Sequence, residues 1–423
     1  MPASSENKNK KKSLVQLFLS DGAIDIPFLV ITIVLLTIGI VIMYSAGYPY
    51  AYIKYDNSLY FFKRQAFFAV LGICGMLVIS KINYTRLKYI AAVGGFFISI
   101  ALLLFVFNFP DENGICRWVE IGALRFQPSE IAKMGLILIC ACVLSEQHSL
   151  VVSKKPLKYE WCRKINAFAR MPLMNESLQP IMICGVCTLI FTGLVVLESH
   201  LSGTILMALI GVIMLALGGV RKKWFVFGFI FLVIAVLILY NFTDFFRGYM
   251  LERVESWLDK DADPLGARWQ TNQALYAIGS GGLFGTGLGG SKQKHMYVSE
   301  PQNDMIFSIL CEETGVIGAG VVIVLFCLLI WRGVVIGINA RDRYGMLLSM
   351  GIVFQLATQV FFNICVATDT LPNTGISLPF FSYGGTSLVL FLCEMGLILS
   401  VSRQSSLRRK QADSQTEAKG EKE

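Results

Sequence analysis

Ten apolar runs, each near the roughly 20 residues that a bilayer core requires, constrain this chain more than any other feature. They lie near Pro27–Ser45, Gln65–Ser80, Tyr89–Phe107, Ser129–Glu146, Pro180–Leu197, Gly203–Gly218, Trp224–Asn241, Met305–Trp331, Gly345–Ala367 and Gly385–Val401. The expected fold is an all-α polytopic membrane protein of about ten transmembrane helices. Apolar residues make up 55% of the chain and charged residues 16%, so one bundle absorbs nearly everything. No gap is long enough for a soluble domain of ordinary size. The first run is too long for a cleaved signal peptide and reads as an uncleaved anchor.

Lysine and arginine set the orientation, because short cytoplasmic segments carry the excess. With the amino terminus inside, the inner segments hold 25 basic residues, the outer ones 11, and Lys133 falls within a span. Arg221-Lys222-Lys223 and the Lys154–Arg170 loop are the clearest inner anchors. Both termini are then cytoplasmic. Residues 1–24 form a basic tail, 25–402 the membrane domain and 403–423 a polar tail, both tails reading as solvated and disordered. The net charge of +8 reflects this bias, and no nucleic-acid partner is implied. The eleven cysteines lie mostly within spans, as Cys140, Cys142, Cys184 and Cys187 do, and read as small hydrophobes. No disulfide framework or zinc spacing is present.

The outer segments hold the candidate chemistry. A large extracytoplasmic loop, Phe242–Asp304, separates the seventh and eighth spans and ends on a carboxylate at the membrane edge. Charge placed there is costly and is retained for a function or for a helix N-cap. Upstream of Asp304 stand seven glycines within Gly279–Gly290, then Lys292 and Lys294. Gly285, Gly287 and Gly290 match a dinucleotide pattern, but without the strand–turn–helix context that gives it meaning. The segment reads either as a flexible connector or as a backbone that approaches an anion. Glu312 and Glu313 lie deeper in the eighth span and are expected to face the bundle interior.

Three further groups follow. Arg117 and the run Arg125–Glu130 precede Lys133, with Glu130 and Lys133 on one helical face as an ion pair or a ligand site. Glu198 and His200 sit in a tight hairpin, either solvated or contacting substrate. The chain has only three histidines, His148, His200 and His295, which weighs against a dedicated multi-histidine metal site. Finally, Leu371–Gly375 and Leu378–Gly385 carry two prolines and three glycines at membrane depth. Such backbone is tolerated only against protein or water, which suits either a re-entrant loop with Ser382 and Tyr383 or a surface connector.

Together these stretches resemble the SEDS family (shape, elongation, division and sporulation), and its FtsW/SpoVE branch in the first outer segment. The matching pieces are Ser58–Gln65, Asn113–Trp118, Phe126–Lys133, Ser202–Thr204, Gln270–Lys294, Asp304–Phe307, Glu312–Gly318 and Leu371–Thr386. The resemblance implies a peptidoglycan glycosyltransferase that polymerises lipid II at the outer face of the bacterial plasma membrane. It also implies a class B penicillin-binding protein as partner, beside other division or sporulation proteins. The family's essential acid, in the motif His/Asn-Thr-Asp-Phe-Ile-Phe, falls on Asp304, although Asn303 and Met305 replace two neighbours. The family's Pro-Asp before Leu-Gly-Thr is absent, since this chain reads Glu198-Ser199-His200-Leu201-Ser202-Gly203-Thr204.

The chemistry expected is inversion at C1 of a lipid-linked donor, with Asp304 as general base. The substrate-binding candidates are Arg117, Glu130, Lys133, His200, Gln270, Lys292, Lys294, Glu312, Ser382 and Tyr383. Arg117, Lys133, Lys292 and Lys294 are candidate stabilisers of the charge that develops on the leaving undecaprenyl pyrophosphate. A divalent cation, Mg or Mn, bridging that pyrophosphate to Asp304 fits the same scheme. No nucleotide is expected. The rival readings are a lipid II flippase, which broken helices also suit, and a noncatalytic scaffold.

Overall fold

The computed structural model describes residues 22–110, 116–121, 124–146, 178–198, 200–220, 224–226, 228, 230, 255–259, 266 and 268–420. Its helices are α1 (Ile26–Tyr55), α2 (Tyr60–Lys81), α3 (Tyr84–Phe105), α4 (Pro128–Glu146), α5 (Leu178–Leu197), α6 (Leu201–Leu217), α7 (Trp269–Gly281), α8 (Ile306–Ile338), α9 (Arg343–Ala367) and α10 (Gly385–Gly420). A two-stranded antiparallel hairpin, β1 (Val119–Ile121) and β2 (Leu124–Phe126), precedes α4 and pairs Glu120 with Arg125. Among the described residues, eight helices are long and apolar enough to cross a membrane, and α6, at 17 residues, is shorter. The basic loop Lys154–Arg170, the anchor Arg221–Lys223 and most of the expected seventh span near Trp224–Asn241 lie outside the described residues.

Two expectations change. The long outer loop carries a helix of its own, α7. The polar tail from residue 403, expected to be disordered, is helical, because α10 continues to Gly420. Its run of Gln, Arg, Lys, Ala and Glu has high helix propensity, with no proline or earlier glycine to stop it.

The helices are stapled to one another at both ends. At the end bearing the amino terminus, Asp25 caps α1 by accepting from the Phe28 amide at 3.0 Å. It also receives a two-pronged bond from Arg332 of α8, at 2.9 and 2.7 Å. Asp342 caps α9 and accepts the Tyr84 hydroxyl of α3. Between the ends, helices in lipid gain little from the hydrophobic effect and associate through close packing and polar contacts. Gly396 of α10 lies against the backbone of Met76 in α2, and Gly135 of α4 lies against Ser99 of α3.

Helix α8 is not continuous. Gly315 adopts φ +67°, and the helix resumes beyond it. The break lies nine residues below Ile306, a depth of about 14 Å at 1.5 Å per residue. The segment 281–287 fills it. Thr286 and Gly287 donate to the carbonyls of Glu312 and Glu313 at 2.9 and 3.0 Å, while Val316 and Ile317 donate to those of Gly282 and Leu283. A Cβ on Gly285 would overlap the Glu313 carbonyl, and one on Gly315 would overlap the Gly285 amide. Glycine is required at both because each φ is positive and the two backbones touch. Helix α7, 13 residues long, thus runs from the level of Asp304 to the level of Gly315, and the chain then climbs back. Residues 269–303 form a re-entrant wedge, its backbone satisfied by α8 as burial at that depth requires.

Candidate active site

Asp304 stands in the turn that leads into α8 and is half-buried. The N-cap of α8 is Met305, so the acid is not the capping residue. What precedes the helix is held firmly. Three successive carbonyls each receive a hydrogen bond of 2.7 Å from a different donor: Gln302 from the Tyr383 amide, Asn303 from Ser382 Oγ, and Asp304 from Asn363 Nδ2. Asn363 gives its second proton to the Ile376 carbonyl, also at 2.7 Å. Ser382 Oγ in turn accepts from the Leu378 amide at 2.7 Å. The turn bearing the acid is therefore bolted to the loop 371–384. Gly375 in that loop faces the carboxylate, and a Cβ there would stand 3.6 Å from Asp304 Oδ2.

The same loop gathers the other expected groups. Ser202, at the start of α6, donates to the Thr374 carbonyl. Two residues earlier, His200 Nδ1 lies 3.2 Å from Gln127 Nε2 and 3.4 Å from Ser129 Oγ, at the start of α4. One turn on, the buried Lys133 bonds Glu130 at 2.8 Å and Gln359 Oε1 of α9 at 3.2 Å. The Glu130–Lys133 ion pair is therefore formed, and it is tied to α9 through Gln359. Gln270 at the top of α7 accepts from Asn373 Nδ2 at 3.2 Å and donates to the Ser299 carbonyl at 3.4 Å. Asp304, Lys133, Glu130, His200, Gln270, Ser382 and Tyr383 thus converge on one end of the bundle.

Glu198, in the same hairpin as His200, is fully buried, and neither of its oxygens meets a hydrogen-bond donor among the described residues. Burial raises its pKa to about 8, against the opposing charge of Arg117. At neutral pH it is largely a neutral acid. Tyr383 is also raised by burial, with Arg64 acting in the other direction. It packs edge-on against Phe61, ring centroids 4.7 Å apart, within the aromatic cluster between α1 and α2.

The lysines of the re-entrant wedge divide. Lys292 has an exposed side chain. Lys294 is sealed: its ammonium bonds Glu313 Oε1 at 2.8 Å and Ser45 Oγ at 3.2 Å, and lies 4.9 Å from the centre of the Tyr48 ring. Both charges of this pair are wholly buried. Glu312 is likewise spent, since it accepts from Ser291 Oγ at 2.5 Å and from the Lys292 and Gln293 amides at 2.8 and 3.4 Å. The glycine-rich backbone does approach an anion, but that anion is the protein's own carboxylate. In this arrangement Lys294 and Glu312 pin the wedge and do not face an outside ligand.

Residues not singled out from sequence complete the frame. Asp369 accepts from Arg268 at 2.7 Å and ties the wedge to the end of α9. Gln355, Gln359 and Asn363 form a buried amide stripe at one-turn intervals along α9, and Gln355 bonds both oxygens of the buried Glu394 on α10 at 3.1 and 3.2 Å. Their four-residue spacing within an apolar run is a legible sign of one polar face.

Among the described residues, no group of three or more histidine, cysteine, aspartate or glutamate side chains is placed to hold a metal. Asp304 alone brings one carboxylate. That donor set fits only a hard cation carried mainly by substrate phosphates and water.

Comparison with known proteins bears on the whole chain. The FtsW/RodA/SpoVE family, described as cell cycle protein, matches residues 27–407. The stage V sporulation protein E of Bacillus subtilis (strain 168) is 37% identical over 394 residues, covering 90% of this chain and 97% of that protein. The probable peptidoglycan glycosyltransferase FtsW of Geobacter sp. (strain M18) is 33% identical, with 89% and 96% covered. Among solved structures, a chain from a peptidoglycan synthase complex that coordinates polymerization and crosslinking superposes with a TM-score of 0.66 at 25% identity, covering 90% of this chain and 98% of that one. The rod shape determining protein RodA of Thermus thermophilus shares the fold, with a TM-score of 0.60 at 24% identity over 90% of this chain and 98% of its own.

Proposed function

This chain belongs to the FtsW/RodA/SpoVE family of cell cycle proteins, and from that membership we propose that it is a peptidoglycan glycosyltransferase of the plasma membrane. It polymerises lipid II into β-1,4 glycan strands for division or sporulation wall synthesis. The relatives named as glycosyltransferases support the activity. The observation that carries the site is the triple anchorage of Gln302, Asn303 and Asp304, which fixes one half-buried carboxylate where the helices, the hairpin and the loop converge.

The reaction follows from what that carboxylate faces. With the amino terminus cytoplasmic, the Asp304 end opens outward, where the substrate arrives already activated as a pyrophosphate. Asp304 takes the proton of the acceptor GlcNAc 4-hydroxyl. The oxygen attacks C1 of the donor MurNAc, the C1–oxygen bond to pyrophosphate breaks, and α linkage becomes β. General-base assistance of this kind is worth about 10²–10⁴-fold. Lys133, Lys292 and Arg117 supply positive charge toward the departing pyrophosphate, Lys133 by sharing its contact with Glu130. A divalent cation, when bound, would neutralise pyrophosphate charge. Tyr383, Ser382 and Gln270 keep the loop and the wedge in register around the head group. Crosslinking is left to a class B penicillin-binding protein, a partnership supported by the likeness to a chain of a peptidoglycan synthase complex.

The test is glycan formation from purified lipid II by wild type and Asp304→Asn, each with and without the cognate transpeptidase and divalent cation. The variant keeps the shape and removes the charge, and loss of at least about 10²-fold is expected. Polymer at wild-type rate from the variant, or lipid transport across sealed vesicles without any polymer, would overturn the proposal.

A further inference from the structure

The buried amides of α9 hold the backbone of Asp304 and the ammonium of Lys133 from one rigid element. Asn363 holds the carbonyl of Asp304 at 2.7 Å, and Gln359 holds the ammonium of Lys133 at 3.2 Å. The two amides are one helical turn apart, so they project from the same face with about 6 Å between their positions along the axis. Each is 1% exposed. Asp304 and Lys133 themselves belong to elements distant in sequence, the turn before α8 and the first turns of α4.

We infer that α9 is a ruler: Asn363 and Gln359 are positioning residues that set the spacing between the Asp304 carboxylate and the Lys133 ammonium. This rests on Asp304 and Lys133 acting on one donor–acceptor pair, as proposed above. A glycosyl transfer needs the base at the attacking hydroxyl and the cation at the leaving phosphate, on opposite sides of C1. An error of about 1 Å in such a geometry can cost on the order of 10²-fold in rate. Neither of the two charged residues sets that distance alone. Lys133 has a long flexible side chain, and Asp304 stands in a turn. The turn that carries Asp304 and the Lys133 ammonium both become fixed when bonded to the same buried face of α9.

The bonds support this against simple space-filling. Asn363 spends both amide protons, one on Asp304 and one on Ile376, and so joins the acid to the loop that contains Gly375. Gln359 accepts from Lys133 while Glu130 takes the same ammonium from the other side, so the cation is held between α4 and α9. A filler of equal volume would occupy the space of either amide and make none of these bonds.

The experiment compares Asn363→Ala, Gln359→Ala, the double variant and the milder Asn363→Thr in the full-length protein with its transpeptidase. It records kcat and KM for lipid II, the unfolding midpoint in the same detergent, and carbodiimide labelling of Asp304 by mass spectrometry. Asn363→Ala should lower kcat by about 10²-fold with KM changed less than about threefold, and should alter the labelling rate of Asp304. Gln359→Ala should mainly raise KM, because Lys133 also meets the anion in the ground state. The double variant should lose less than the product of the two single losses, since a ruler released at one end no longer sets a distance. If Asn363→Ala fails to fold, Asn363→Thr and its labelling rate carry the same test. Wild-type kcat in Asn363→Ala while Asp304→Asn is inactive would overturn the ruler and leave the acid's role standing. So would losses that simply track the unfolding midpoint, or losses that multiply. Activity in Asp304→Asn would instead remove the premise.

Discussion

Removing the ammonium of Lys294 should unfasten the wedge. The pair it forms with Glu313 is 2.8 Å long and both side chains are fully buried. Ser45 Oγ donates to the same carboxylate oxygen at 2.7 Å, whereas Glu313 Oε2 has no hydrogen-bond partner among the described residues. Lys294→Met therefore leaves a buried carboxylate with one hydroxyl for company. Breaking a buried pair from one side costs about 3–5 kcal/mol, while replacing both charges with apolar groups is often neutral or stabilising. The double variant Lys294→Met/Glu313→Met should thus recover most of the loss. The measurement is equilibrium unfolding in mixed micelles for the wild type, both single variants and the double. Since the wedge also brings Gln270 to Asn373, polymer yield should fall in Lys294→Met although Asp304 is untouched. A single variant within about 1 kcal/mol of wild type, or a double variant no more stable than Lys294→Met, would refute the account of this pair as a fastener.

Gly315→Ala should destabilise by at least about 2 kcal/mol and abolish polymerisation, because it demands a positive φ and overlaps the wedge backbone; thermal unfolding and the glycan assay read both effects. Glu198 supplies a pH dependence of stability. Its pKa in the folded protein, about 8, lies above the ordinary carboxylate value, so its contribution is complete below about pH 4.5 and is lost as pH rises through 8. Glu198→Gln should therefore raise the unfolding midpoint at pH 8.5 more than at pH 5, and an equal change at both would count against a buried neutral acid. Chelation should slow polymerisation and Mg or Mn restore it. Because Asp304 offers one carboxylate, the apparent metal affinity should strengthen as lipid II concentration rises; a metal affinity independent of lipid II would point to a resident site.

Much of the bundle was legible because its signal is local. The runs ending in Glu146, Leu197 and Ala367 end there in the structure as well. The same holds for Glu130 and Lys133, three residues apart on one helix. What escaped depends on contacts across the chain. Glycines 279–290 read as a flexible connector or as an anion-approaching backbone, whereas the close approach of Gly285 to Glu313 and Gly315 makes the segment a packing surface. Lys294 looked available because its partners, Ser45 and Glu313, lie 249 and 19 residues away. Asn363 alone is one polar residue in an apolar run, and only its spacing from Gln359 and Gln355 marks a shared face.

The wedge also has a consequence for how the protein is made. Its backbone partners, Glu312 to Ile317, come after it in the chain, and the hydroxyl that meets Lys294 belongs to Ser45, far before it. As the chain is synthesised, α7 and the glycine turn therefore emerge before the groove that receives them exists. Unpaired peptide groups cannot rest in hydrocarbon, so the segment waits in water until α8 has been threaded through the bilayer. Only then does it enter from the outer side. Insertion of the spans and completion of the catalytic end are thus separate events, and a chain arrested between them would be fully embedded in the membrane yet incapable of chemistry.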